Sequence, residues 1–267
     1  MSPIPAVFFG HGSPMNAIED NQYTQAWTNL GEIHPKPRAI LAISAHWFIR
    51  ETAVTAMEWP RTLHDFRGFP SELYEIDYHA PGDPTLAASI AQMLKPLDVR
   101  LDKEWDLDHG AWSVLRHLYP LMDVPVVQLS IDRTKPPTFH YEVGQRLQPL
   151  RKMGIFIMGS GNIVHNLNLF IARSGNLESL GWAERFDGLV RETIIDGREE
   201  ALIHFDSLGA DANLAIPTPD HFLPLLYILG ARSEGDEVFF SVDRYDGGAI
   251  SMRAVQFGGN MRSSQDR

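Results

Sequence analysis

Eleven histidines and no cysteine occur in the 267 residues. Any transition metal held here must therefore be bound by imidazole, carboxylate or water rather than thiolate. Three histidines stand just beyond apolar runs. Residues 6–9 run straight into Gly10-His11-Gly12-Ser13-Pro14, and residues 39–43 into Ser44-Ala45-His46-Trp47. Residues 154–158 lead through Gly159-Ser160-Gly161-Asn162-Ile163-Val164 to His165-Asn166. A fourth, His221, follows Pro217-Thr218-Pro219-Asp220 and opens the apolar stretch at residues 222–229. Taken singly, each reads as easily as a packed turn residue. Together they sit on glycine- or proline-punctuated loops at element ends, which argues for a shared site suited to Zn(II) or Fe(II). His34, His79, His117, His140 and His204 lie in polar or helical contexts and read as surface or hydrogen-bonded residues; His64 stays open between the two readings.

The elements that must position these side chains alternate. Apolar runs at residues 6–9, 39–44, 53–57, 124–129 and 154–158 read as strands, and residues 99–101 as a short one. Asp83-Pro84 has the form of a helix start, with Asp as N-cap and Pro at the first helical position. Pro136-Pro137 introduces a helix carrying Phe139, Val143, Leu147 and Leu150, and residues 180–205 read as helical. Residues 237–242 and 249–257 flank Asp246-Gly247-Gly248 as a C-terminal hairpin. Such alternation predicts a single α/β domain at residues 1–257, three-layered, with a mostly parallel central sheet and helices on both faces. Residues 258–267 read as a disordered tail. If the first, second and fifth strands are parallel neighbours, His11, His46 and His165 share the crevice beyond their carboxyl ends.

Composition narrows the function classes. A net charge of −11 disfavours nucleic acid and anionic membranes as partners. The opening Met1-Ser2-Pro3-Ile4-Pro5 lacks a basic segment, and no apolar run reaches the length of a membrane span, so a cytoplasmic location is expected. Gly159-Ser160-Gly161 lacks the third glycine of a dinucleotide fingerprint, and there is no Gly-Lys-Ser/Thr phosphate loop. Ser13 is followed by Pro14-Met15, unlike a nucleophile elbow.

Six segments occur in order: Gly10-His11-Gly12-Ser13-Pro14, Ser44-Ala45-His46-Trp47, residues 64–70 (His-Asp-Phe-Arg-Gly-Phe-Pro), Leu107-Asp108-His109-Gly110, residues 159–166 and Thr218-Pro219-Asp220-His221. Together they resemble the class III extradiol ring-cleavage dioxygenases, in the branch similar to DOPA 4,5-dioxygenases. The resemblance runs from about residue 6 to residue 257. It implies that His11, His46 and His221 are metal ligands and that His165 is an acid–base residue able also to bind the ion. It implies further that His109 contacts substrate or oxygen, and that residues 65–70 form a wall or lid. Fe(II) is implied for activity, although three neutral histidines fit Zn(II) equally well; non-haem Fe(II) sites more often pair two histidines with a carboxylate, and here the adjacent carboxylate is Asp220. The implied substrates are a catechol and O2, and the implied product is a muconic semialdehyde. His165 would take up the catechol proton and return it during ring cleavage. Arg50, Arg67 and Arg133 are candidates for holding a substrate carboxylate. A tetrapyrrole metal chelatase, which shares the Gly-His-Gly-Ser turn, and a zinc protein or hydrolase without dioxygenase activity are the alternatives.

Overall fold

Six strands form the central sheet of the computed structural model, which describes residues 3–172, 178 and 180–259. Numbered in chain order they are β1 (Ala6–Gly10), β2 (Ala39–Ser44), β3 (Val126–Gln128), β4 (Ile155–Gly161), β5 (Val238–Val242) and β6 (Ala254–Phe257). Their spatial order is β3-β2-β4-β1-β6-β5. The first four in that order are parallel; β6 runs antiparallel to β1, and β5 antiparallel to β6. The C-terminal hairpin thus closes one edge of the sheet.

Parallel strands covered on both faces have no solvated side, which is why β1, β2 and β4 read as unbroken apolar runs. Their side chains still alternate. Phe8, Leu41, Ile43, Ile155 and Ile157 enter one core, while Val7, Phe9, Ile40, Ala42, Phe156 and Met158 enter the other. The first core is covered by helices α2 (Pro84–Met93), α4 (Pro137–Leu147), α5 (Gly181–Ile195) and α6 (Leu223–Gly230), the second by α1 (Gln22–Ile33) and α3 (His109–Leu118). The three-layer α/β domain follows. As the sequence suggests, Asp83 caps α2, its side chain accepting from the Leu86 amide at 2.8 Å, with Pro84 in the first helical position.

Three expectations need adjusting. The run at residues 53–57 yields a strand only over Ala53–Thr55, and it pairs with Arg100–Asp102 in a separate two-stranded sheet. β4 does not stop at Met158 but continues through Gly161, because Ser160 and Gly161 pair with Phe9 and Gly10 of β1. Its last glycine is required by close packing: a Cβ on Gly161 would stand 2.1 Å from the His221 carbonyl oxygen. The helical stretch at 180–205 breaks after Ile195, where Gly197 takes a φ of +68°, and resumes at Glu200–Ile203. The hairpin forms as expected, with Tyr245–Asp246 pairing Ile250–Ser251 beyond β5 and β6. Of the expected tail, residues 260–267 lie outside the described residues. Among the described residues no helix is long and apolar enough to cross a membrane.

For function the decisive feature is the order β2-β4-β1. It places the segments carrying His46, His165 and His11 side by side at the carboxyl ends of adjacent parallel strands.

Candidate metal centre

His11, His46, His109, His165 and His221 line one cavity of about 230 Å3, whose remaining walls are Gly12, Ser13, Pro14, Phe69, Leu167, Phe170 and Ile250. The sequence motifs therefore converge. His11 follows β1 directly, its amide bonded to the Gly161 carbonyl at 3.1 Å. His109 is the first residue of α3, whose N-cap Asp108 accepts from Ala111 N and from Ser44 Oγ of β2 at 2.6 Å. His221 precedes α6, and its carbonyl accepts from the Asn162 amide beyond β4. The glycines beside His11 make room for the hairpin. A Cβ on Gly10 would meet the Ser251 and Met252 backbone at 2.7 Å, and Gly12, at φ +61°, packs on the Met252 side chain.

Four of the five rings are anchored through Nδ1. His46 donates to Asp65 Oδ2 at 3.0 Å and His109 to Asp65 Oδ1 at 2.8 Å; His221 donates to Asp220 Oδ2. A carboxylate only accepts, so each of these rings carries its proton on Nδ1. Ser160 Oγ gives its hydrogen to the Gly110 carbonyl and must accept from His11 Nδ1 at 3.0 Å. Nε2 is then the free nitrogen of all four rings, the arrangement that outer partners impose on metal-binding histidines. His165 makes no side-chain hydrogen bond among the described residues; its ring stacks on His221 with centroids 3.5 Å apart.

The donor set fits a divalent ion. The Nε2 atoms of His11 and His46 stand 3.2 Å apart, both with lone pairs in these tautomers. Lone pairs that close repel unless a metal ion or, in the metal-free protein, a proton is shared between them. Two nitrogens each about 2.0–2.1 Å from one ion would stand about 3.0–3.4 Å apart. The donor atoms of His11, His46 and His109 all lie within 4.8 Å of one another. His221 is outside that triplet, its ring centroid 5.4 Å from those of both His11 and His46.

Electrostatics keep most of the cluster neutral. Burial, then the neighbouring His46 and His221, depress His11 well below the ordinary imidazole value. Burial also lowers His109 and His221, and with His221 it pulls His165 down to about 3. His46 alone of the five is raised: burial opposes its charge, but the Asp65 hydrogen bond and the Asp108 and Asp220 carboxylates outweigh that. Burial would raise Asp65, yet the hydrogen bonds from His109 and His46 hold it well below the usual carboxylate range.

Some candidates take other places. His64 bonds the Ile76 carbonyl at 3.0 Å and packs against Phe66, Tyr74 and Trp112, so it braces the loop. Asp220 orients His221 instead of facing the cavity. None of Arg50, Arg67 and Arg133 is among the cavity-lining residues. The loop at 65–70 supplies a wall through Phe69, and also something the sequence did not signal, the Asp65 carboxylate shared by two histidines. Ser160 was likewise missed; its only cue was a hydroxyl between the glycines that end β4.

Residues 5–251 match the family model described as the catalytic LigB subunit of aromatic ring-opening dioxygenase. The chain belongs to this family. It is 46% identical over 260 residues to the 4,5-DOPA dioxygenase extradiol of Escherichia coli (strain K12), covering 96% of this chain and 95% of that one. The enzyme of the same description from Beta vulgaris is 37% identical over 257 residues, covering 94% and 95%. The crystal structure of an uncharacterized Escherichia coli K12 protein superposes with a TM-score of 0.83 at 42% identity, over 96% of this chain and all of that one. The protein is an extradiol ring-cleavage dioxygenase of a metal-dependent family, and its His11–His46–His109 group could hold the metal. The chelatase alternative falls away.

Proposed function

We propose that the protein cleaves a catechol, DOPA or a close analogue, beside its hydroxyl pair with O2, giving a muconic semialdehyde in the cytoplasm. Four Nδ1-anchored imidazoles beside one unanchored imidazole carry this reading. His11, His46 and His221 hold the ion, Fe(II) in the working enzyme and Zn(II) as a fitting but redox-inert occupant. When bound, the ion supplies positive charge at the hydroxyl pair and open positions where both reactants meet.

The chain's own groups do the rest. Phe69 and Phe170, with Pro14 and Ile250, offer apolar walls to an aromatic ring, and a cavity of about 230 Å3 takes one ring with a short substituent. His165 is half-buried and, among the described residues, makes no side-chain hydrogen bond, so its ring nitrogen is open to accept the catechol proton and return it later. His109 donates Nδ1–H to Asp65 and keeps Nε2 toward the reactants.

One observation favours a second ligand set. The compact triplet contains His109 in place of His221. Metal content of His109→Ala and His221→Ala separates the two, since the true third ligand is the one whose loss empties the site. The function itself is tested by anaerobic Fe(II) loading, then oxygen uptake and ring-cleavage absorbance on DOPA, protocatechuate and unsubstituted catechol. Uptake with at least one, abolished in His165→Ala with metal retained, is expected. No uptake across the panel would overturn the reading.

A further inference from the structure

We propose that Asp65 is a positioning residue that fixes the tautomers of His46 and His109 together, so that one carboxylate sets the metal-facing and reactant-facing nitrogens at once. The proposal rests on the reading that His46 holds the ion and that His109 faces the reactants or the ion.

The geometry is specific. One Asp65 oxygen accepts from both the backbone amide of His109, at 3.0 Å, and its Nδ1, at 2.8 Å. The other oxygen faces Nδ1 of His46 at 3.0 Å, and the two rings lie with centroids 4.0 Å apart. The loop carrying Asp65 is tied to α3 independently of this carboxylate. Leu63 N bonds Leu107 O at 2.8 Å, Trp112 Nε1 bonds Leu63 O at 2.9 Å, and Phe66 lies edge-on to His109. Removing the charge should therefore leave the loop in place. An asparagine has one accepting and one donating end. The His109 backbone N–H can only donate, so the accepting end stays at His109 and the amide NH2 faces His46, whose Nδ1 must present a lone pair while its proton moves to Nε2, the nitrogen that would hold the ion. Asp65→Asn is thus an isosteric change that spoils one of the two rings.

The experiment compares wild type and Asp65→Asn by three readouts: thermal unfolding, imidazole 15N shifts of the metal-free protein, and Zn(II) affinity by competition with a chelator. Recorded at alkaline pH, where every ring is neutral, the wild type should show Nδ1–H tautomers at both His46 and His109. The variant should keep a near-native melting temperature, switch His46 to Nε2–H, and bind Zn(II) 10- to 100-fold more weakly. Unchanged affinity, or weaker affinity with both tautomers retained, would overturn the proposal. If the variant does not fold, the wild-type spectrum decides, because an Nε2–H tautomer at either ring contradicts it. None of these readouts uses a catechol. Failure of oxygen uptake in the wild type would remove the proposed reaction and leave the Asp65 result standing.

Discussion

Ser160→Ala is the substitution whose consequences the structure defines most fully. The hydroxyl is completely buried at the end of β4, donating to the Gly110 carbonyl and accepting from Nδ1 of His11, itself only 2% exposed. Alanine fits the space but leaves the buried Nδ1–H of His11 without its acceptor, while the Gly110 carbonyl sits inside α3 among the helix acceptors. Such a loss costs about 1–3 kcal/mol. At about 2 kcal/mol, in a domain of this size, Tm falls by roughly 4–8 °C. The second effect is on His11, whose ring loses the acceptor that holds its proton on Nδ1. Loss of such an outer partner typically weakens metal binding about 10- to 100-fold, or about 1.4–2.7 kcal/mol. Differential scanning calorimetry and a chelator competition with Zn(II) give both numbers on one preparation. A lowered Tm with wild-type metal affinity would refute the reasoning, because it would make Ser160 a packing residue with no hold on the His11 tautomer.

Three other outcomes follow from separate parts of the molecule. His140 is fully buried on α4, bonded through Nδ1 to Tyr227 Oη at 2.9 Å, and burial pushes it down from 6.5 to about 4. Its folded value lies below its unfolded one, so the unfolded chain takes the proton first. The stability it confers is whole above about pH 6.5 and is lost as pH falls toward 4, by about 3 kcal/mol. Urea unfolding across that window should therefore be flatter for His140→Gln than for wild type, and parallel curves would contradict this. Asp187→Asn strands the buried Arg253 guanidinium, which also binds Asp243 at 2.7 Å, and should cost about 3–5 kcal/mol by denaturant unfolding. The double change with Arg253→Met should recover much of that loss. Gly161→Ala should lower metal occupancy, measured by elemental analysis, because its Cβ would displace the His221 carbonyl 2.1 Å away.

The sequence showed what depends on local pattern. β1 and β2 are buried on both faces and so read as continuous apolar runs whose ends could be placed to within a residue. The four loop-borne histidines stood out because glycine and proline punctuate their surroundings. Non-local terms stayed hidden. Residues 53–55 have the composition of a strand, but nothing in them shows that their partner is Arg100–Asp102 and not the central sheet. The extension of β4 through Gly159-Ser160-Gly161 depends on pairing with β1, about 150 residues earlier, and its glycines on the approach of the His221 and Pro224 backbone to that face. Asp65 sits beside a more conspicuous histidine in its motif, and its role depends on a partner 44 residues away. His64 was visible and turned out to brace the loop; Asp65 was overlooked and holds two rings of the cavity.

Oxygen labelling tests the central claim most directly. The Fe(II)-loaded protein is given a catechol that supports oxygen uptake, under 18O2, and the product mass is read before exchange with water. The account predicts one O2 consumed per ring and both labelled atoms in the cleaved product. Label absent from the product, or arriving only from water, would contradict it.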